Sequence, residues 1–223
     1  MEKPKRIATV WALIIIMFLS LVFNRQCLLY FASIKGFINP LLTGAKACQI
    51  PDVITPRDIN NNGIYDQLDI VNGARQEIIN RTEYDGSYCE NGYPPKQQGV
   101  CTDVIWRALK AAGYDLKAMV DKDIRENPGC YGLTGQNPDP NIDFRRVQNL
   151  EVFFKRHARE LATEVKPGDE ENLKYWQAGD IVVFGHPLEH IGIISDKRNS
   201  NGVPMVIHNA GPRPAENNAL LQW

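Results

Sequence analysis

Cys101 follows Gly99-Val100 and opens the run CTDVIWRALKAAG, in which Val104, Ile105, Ala108, Leu109 and Ala112 fall on one helical stripe and Gly113 stands at the stop. A thiol at a helix start faces unsatisfied N–H groups and the positive end of the helix dipole, and both favour the thiolate. Two imidazoles lie downstream: His190 heads a short β-branched run, and His208 nears the end of PMVIH. A thiol with two imidazoles is a set for acyl transfer. Cys101 would be the nucleophile, His190 would hold the thiolate as an ion pair and later protonate the leaving amine, and His208 would orient the His190 ring. In an extended PMVIH, Val206 and His208 share a face opposite Met205 and Ile207, so His208 can point to a groove while Ile207 faces the core. The competing readings are a cysteine that is only small and buried, and a His190 solvated in a turn. A three-ligand zinc site from Cys101, His190 and His208 lacks a close C-x-x-C or H-x-x-x-H pair to anchor it, so no metal and no cofactor is assigned. His157, in a polar helical stretch, and His186, in a turn before Pro187, receive no catalytic role.

The elements that must position these groups read as helices first and strands afterwards. Leu68, Val71, Ala74, Ile78 and Ile79 recur at helical spacing within Tyr65–Arg81. Tyr84–Gly99 and Pro128–Val147 read as long loops, with a short helix around Leu150–Leu161 after the second. Gly179–Phe184, Ile191–Ser195 and Pro204–His208 read as strands separated by the turn-like HPLEH and by Asn201-Gly202. The fold class is therefore α+β, with N-terminal helices packed on an antiparallel sheet.

Composition bounds the rest. Hydrophobic residues at 43% and charged residues at 23% describe a folded protein and exclude disorder, collagen and coiled coil. With 25 basic and 26 acidic residues the net charge is -1, so no global field attracts nucleic acid, and nucleic acid is not a predicted partner. Five irregularly placed cysteines make no disulfide scaffold, and their odd number leaves at least one thiol free; the pairing of Cys48, Cys89 and Cys130 stays open.

The N-terminus departs from this average. Ile7–Phe23 is uncharged and apolar behind Lys3, Lys5 and Arg6, and as a helix it rises about 25 Å, with Cys27–Ile34 apolar enough to extend it. The sequence divides into a cytoplasmic 1–6, a transmembrane anchor or signal segment 7–34, a Pro-, Asp- and Asn-rich linker or arm 35–63, and a domain 64–223. Basic residues before the run place the domain outside the cytoplasm, anchored through an uncleaved helix or secreted if the segment is removed at Ala45-Lys46-Ala47.

The strings YWQAGDIVVF, EHIGIISD and VIHN resemble the catalytic half of the NlpC-type peptidoglycan peptidases, which are papain-like. More closely, GVCTDV, NPDPNIDFRRV and NLEVFF resemble the YijF-like bacterial family, labelled a domain of unknown function and placed in the papain-like cysteine peptidase superfamily; the likeness runs from about Ile64 to the C-terminus. The resemblance implies a papain-like fold, Cys101 as nucleophile, His190 as base and His208 as the orienting third residue, acting on cell-wall peptide as endopeptidase or amidase. Two departures stand out. NlpC-type enzymes usually carry Asp before the cysteine and Ser-Gly after it, where this chain has Val100 and Thr102-Asp103. The resemblance also implies a further strand beyond Trp223. Arg145 and Arg146 suit a peptide carboxylate through the guanidinium fork, and Tyr84, Tyr88 and Tyr93 would wall a groove before the nucleophile. The alternatives are a non-catalytic wall-binding module on the same fold and an acyltransferase using the same triad.

Overall fold

The computed structural model describes Cys48 and residues 50–223, which form one compact unit. The apolar 7–34 segment lies outside the described residues. Among those described, no helix is long and apolar enough to cross a membrane.

The described chain is α+β, in the order expected. Helix α1 (Asp66–Ile79) is followed by a two-stranded parallel ladder, β1 (Glu83–Tyr84) on β2 (Gln98–Gly99), then α2 (Cys101–Ala111), α3 (Leu116–Glu126), two 3-10 turns (Pro128–Tyr131 and Asp143–Arg145), α4 (Val147–His157) and the short α5 (Glu170–Leu173). Strands β3 (Ile181–Phe184), β4 (His190–Arg198), β5 (Pro204–His208) and β6 (Ala215–Asn217) then form one antiparallel sheet in sequence order. The elements not foreseen are α3, α5, β6 and the β1–β2 ladder, which tethers the ends of the stretch that reads as a loop. The helix expected around Leu150–Leu161 begins three residues earlier and ends at His157, because Ala158 turns extended.

The period of two along β4 and β5 divides the core. Ile191, Ile193 and Ile207 point to the helices, where Val71, Ala74, Val104, Ile105 and Ala108 of α1 and α2 are buried with them. Ile194 and Val206, on the other face, pack with Trp176 and Ala219. His190, Phe184 and His208 share that second face by the same alternation. The amphipathic stripe of α2 therefore lays the helix that starts with Cys101 against the first face of the strands that carry both histidines.

The ends of α2 are fixed by local chemistry. Gly113 sits at φ +92, the left-handed cap conformation glycine adopts without strain, and a Cβ there would meet Ile59 Cγ2 at 3.0 Å. At the other end Val100 has no side chain able to cap, so Asp103 Oδ2 accepts from Val100 N at 2.8 Å instead. The arm Pro51–Gly63 runs on the domain: Val53 N donates to Gln177 Oε1 at 2.9 Å and Asn60 Nδ2 to Ala111 O at 2.8 Å.

Candidate active site

The sheet register brings the imidazoles together. Phe184 pairs with His190 and Ile193 with Ile207, which sets the starts and ends of β4 and β5 side by side. His190 Nε2 and His208 Nδ1 are 3.0 Å apart, and His208 Nε2 is 3.1 Å from Asn217 Oδ1. This chain fixes the proton positions. An amide oxygen can only accept, so neutral His208 carries its proton on Nε2 and presents a bare Nδ1; His190 must then donate from Nε2, which leaves its Nδ1 as the free base. Asn217 was not identified from sequence. It lies on β6, whose three residues show no alternation, and β6 is held by Glu216: Arg75 Nη2 donates to Glu216 Oε1 at 2.8 Å and Lys197 Nζ to Oε2 at 2.7 Å. Burial would raise the Glu216 carboxyl, but Arg75, Lys197 and Ser195 outweigh it and hold it at about 2.

Cys101 stands at the first position of α2 and is buried, with 7% of its surface exposed. The N–H groups of Ile191, Thr102 and Cys101 itself point at the sulfur, so the thiol touches the residue that follows His190. The expectation of a lowered thiol pKa is reversed. Burial pushes the Cys101 thiol up, and the nearby Asp103 carboxylate adds to it, beyond what the three amides recover. The His190 imidazole is lowered to about 4, first by burial and then by the charge of His208, and burial lowers His208 as well. Burial thus disfavours charge on the thiol and on both imidazoles.

Two aromatic side chains border the site. The Trp223 ring meets both His190 and His208 edge-on with centroids 4.8 Å apart, and also meets Phe184 at 5.2 Å. Tyr84, half-exposed, lies close enough to the thiol that a charge on Cys101 raises its phenol, after burial.

The other predicted contacts are placed elsewhere. Arg145 cannot meet a substrate carboxylate, because its side chain is 1% exposed and is spent inside: Nε donates to Asp103 Oδ1 and Nη2 to Oδ2, both at 2.9 Å, and Nη1 donates to Ser87 O at 3.1 Å. The polar string hides this, since a buried carboxylate on α2 needs a cation that only the tertiary fold supplies. Arg146 is half-exposed, with Asp143 Oδ1 at 3.8 Å. Tyr93 packs tilted against Trp106 and edge-on against Phe144, at 4.9 and 5.6 Å, and with Lys110, Tyr114 and Lys117 it lines a pocket of about 200 Å³ towards the C-terminal end of α2, away from the thiol. Tyr88 holds the 139–141 turn, accepting from Asn141 Nδ2 at 2.9 Å. His157 pairs with Asp123 at 3.1 Å, and His186 is exposed. The four described cysteines are free, and among the described residues no three His, Cys, Asp or Glu side chains gather to hold a metal.

Residues 71–223 match the model of a domain of unknown function, DUF1287. The chain belongs to this family. It is also 38% identical over 186 residues, 80% of this chain and 85% of the relative, to the uncharacterized protein YijF of Escherichia coli (strain K12). No solved structure matches it.

Proposed function

We propose that the protein is a membrane-anchored, extracytoplasmic cysteine hydrolase of papain-like type that cleaves cell-wall peptide as an endopeptidase or amidase. The observation that carries the reading is the relay from Asn217 through His208 to His190, which frees one imidazole nitrogen on the residue next to Ile191, whose N–H points at the Cys101 sulfur. His190 Nδ1 takes the thiol proton as sulfur attacks the carbonyl carbon. The N–H groups at the start of α2 are placed to receive the charge that develops on oxygen. Collapse forms the thioester, breaks the C–N bond and returns the proton from His190 to the leaving amine; water, deprotonated by the same nitrogen, then releases the acid and restores the thiol. His208 and Asn217 hold the tautomer and act as positioning residues. The wall substrate and the outside location rest on the resemblance of the motifs and on the apolar N-terminal run.

The test is turnover of a muropeptide digest by the full chain in detergent. Each cleavage should release one new amino group. Cys101→Ala and His190→Ala should abolish turnover, while His208→Ala and Asn217→Ala retain activity lowered by about 10 to 10³-fold, as losses of orienting partners do. If the parent chain binds wall without turnover, and Cys101→Ala binds equally well, the wall-binding module replaces the enzyme.

A further inference from the structure

Immediately before α1 the chain reads Asp58-Ile-Asn60-Asn-Asn62-Gly63-Ile64-Tyr-Asp66-Gln-Leu-Asp69. This is the oxygen spacing of a twelve-residue calcium loop: side chains at the first, third and fifth positions, glycine at the sixth, a main-chain carbonyl at the seventh, and carboxylates at the ninth and twelfth. The last position has the shorter Asp in place of the usual Glu, so it supplies one oxygen more readily than two. The backbone turns as such a loop requires, with Asn61 at φ 57 and Gly63 at φ 87.

A second observation lies in Asp69. It is 6% exposed and faces the loop, yet among the described residues no cation pairs with it and its Oδ1 receives no hydrogen bond. Its Oδ2 is met only by the amides of Asn60 and Asn62, at 2.8 and 2.9 Å. With Oδ2 held by the two amides, Oδ1 is left open on the loop side without a counter-ion, and a cation there would offset the cost of withdrawing most of the carboxylate from water. A half-turn of the Asn62 amide would replace its N–H₂ with a carbonyl oxygen on the same side. Asp66 is otherwise occupied, accepting from Ile59 N at 2.9 Å and from Tyr114 Oη at 2.6 Å.

We infer that this loop binds one Ca²⁺ through Asp58, Asn60, Asn62, the Ile64 carbonyl and Asp69, with water completing the shell. Two carboxylates, two amides and a carbonyl are a hard-oxygen set suited to calcium, and the mixture explains why no three acidic side chains converge. Magnesium demands six near-ideal short contacts and gives up its water reluctantly, so this loop selects against it. The loop docks on the far end of the nucleophile's helix, through Asn60 Nδ2 on Ala111 O at 2.8 Å, so the ion would tie the arm, α1 and α2 together.

Calorimetric titration of the EDTA-stripped full chain in detergent with CaCl₂, and separately with MgCl₂, tests this independently of any catalysis. Expected are one Ca²⁺ per chain with a dissociation constant of about 10⁻⁵ to 10⁻³ M, much weaker Mg²⁺ binding, and a thermal midpoint that rises and saturates with calcium. Asp69→Asn keeps the shape and the amide contacts while removing the charge, and should weaken binding at least about tenfold. Asp58→Asn, on the more exposed side, should do the same and serves if the first variant folds poorly. A parent chain whose midpoint and heat signal ignore about 10 mM CaCl₂ overturns the site. So does undiminished affinity in a folded Asp69→Asn or Asp58→Asn.

Discussion

Arg145→Met should be among the most damaging single substitutions in the domain, although the residue sits in a string that reads as surface. The Arg145 and Asp103 side chains are each 1% exposed and joined by two bonds of 2.9 Å. Methionine retains much of the apolar stem but leaves the Asp103 carboxylate buried with only Trp106 Nε1 and Val100 N as partners, at 2.8 Å each. Breaking a buried pair from one side costs about 3–5 kcal/mol, a large part of the stability of a domain this size. Replacing both partners removes the stranded charge, so Asp103→Leu/Arg145→Met should lose less than the sum of the single losses; what remains is the cap on Val100 and the Trp106 bond, about 1 kcal/mol each. Arg146→Ala, a half-exposed neighbour, should stay within about 0.5 kcal/mol of the parent. Equilibrium urea denaturation of the full chain, followed by tryptophan emission, gives all four values. A loss below about 1 kcal/mol for Arg145→Met would place the pair with exposed ion pairs and refute the argument.

Two further outcomes follow from the state of the site. Limited iodoacetamide treatment near neutral pH should label exposed Cys130 before Cys101, whose thiol is buried and raised, and mass spectrometry of the labelled peptides would show the order; Cys101 labelling first would mean that the helix N-terminus outweighs burial. The acid limb of kcat/KM should fall near pH 4, where His190 becomes protonated, rather than near the usual 6.5, and Trp223→Ala should move it upward by admitting water to both rings; a limb at 6.5 in the parent chain would contradict the buried base. The stability sign agrees. His190 is depressed in the folded state, so folding binds fewer protons than unfolding between pH 6.5 and about 4, and stability drops as pH falls through that window.

What could be read from sequence was what periodicity encodes. Helix α1 lies within the expected Tyr65–Arg81, α2 starts at Cys101, and three of the four sheet strands sit where β-branched runs announced them. Helix α3 also had a signal, since Leu116, Val120 and Ile124 repeat every fourth residue and Asp115 caps Ala118 N at 3.0 Å. Strand β6 had none: Ala215-Glu216-Asn217 is defined by its partners, with Val206 opposite Asn217, and so the end of the histidine relay was invisible. Arg145 and Tyr93 were misplaced for a related reason. Residue type announces what a side chain can bind, whereas Asp103 on α2 and Trp106 one turn later determine what it does bind.

The thiol shows the same conflict between local and global effects. Position one of a helix is a local feature, and its amides do lower the Cys101 pKa; burial beneath β4 is a property of the whole fold, and it wins. Desolvation acts on both members of the pair in the sense that removes charge, raising the acid and lowering the base. A thiol whose ionisation is disfavoured this way is less open to adventitious oxidation and alkylation, which need the anion. In the proposed hydrolase the Asn217–His208–His190 relay would then carry the catalytic burden. A free His190 nitrogen that takes the thiol proton as sulfur attacks would make proton transfer and carbon–sulfur bond formation parts of one event, with charge developing where the amides at the start of α2 can meet it.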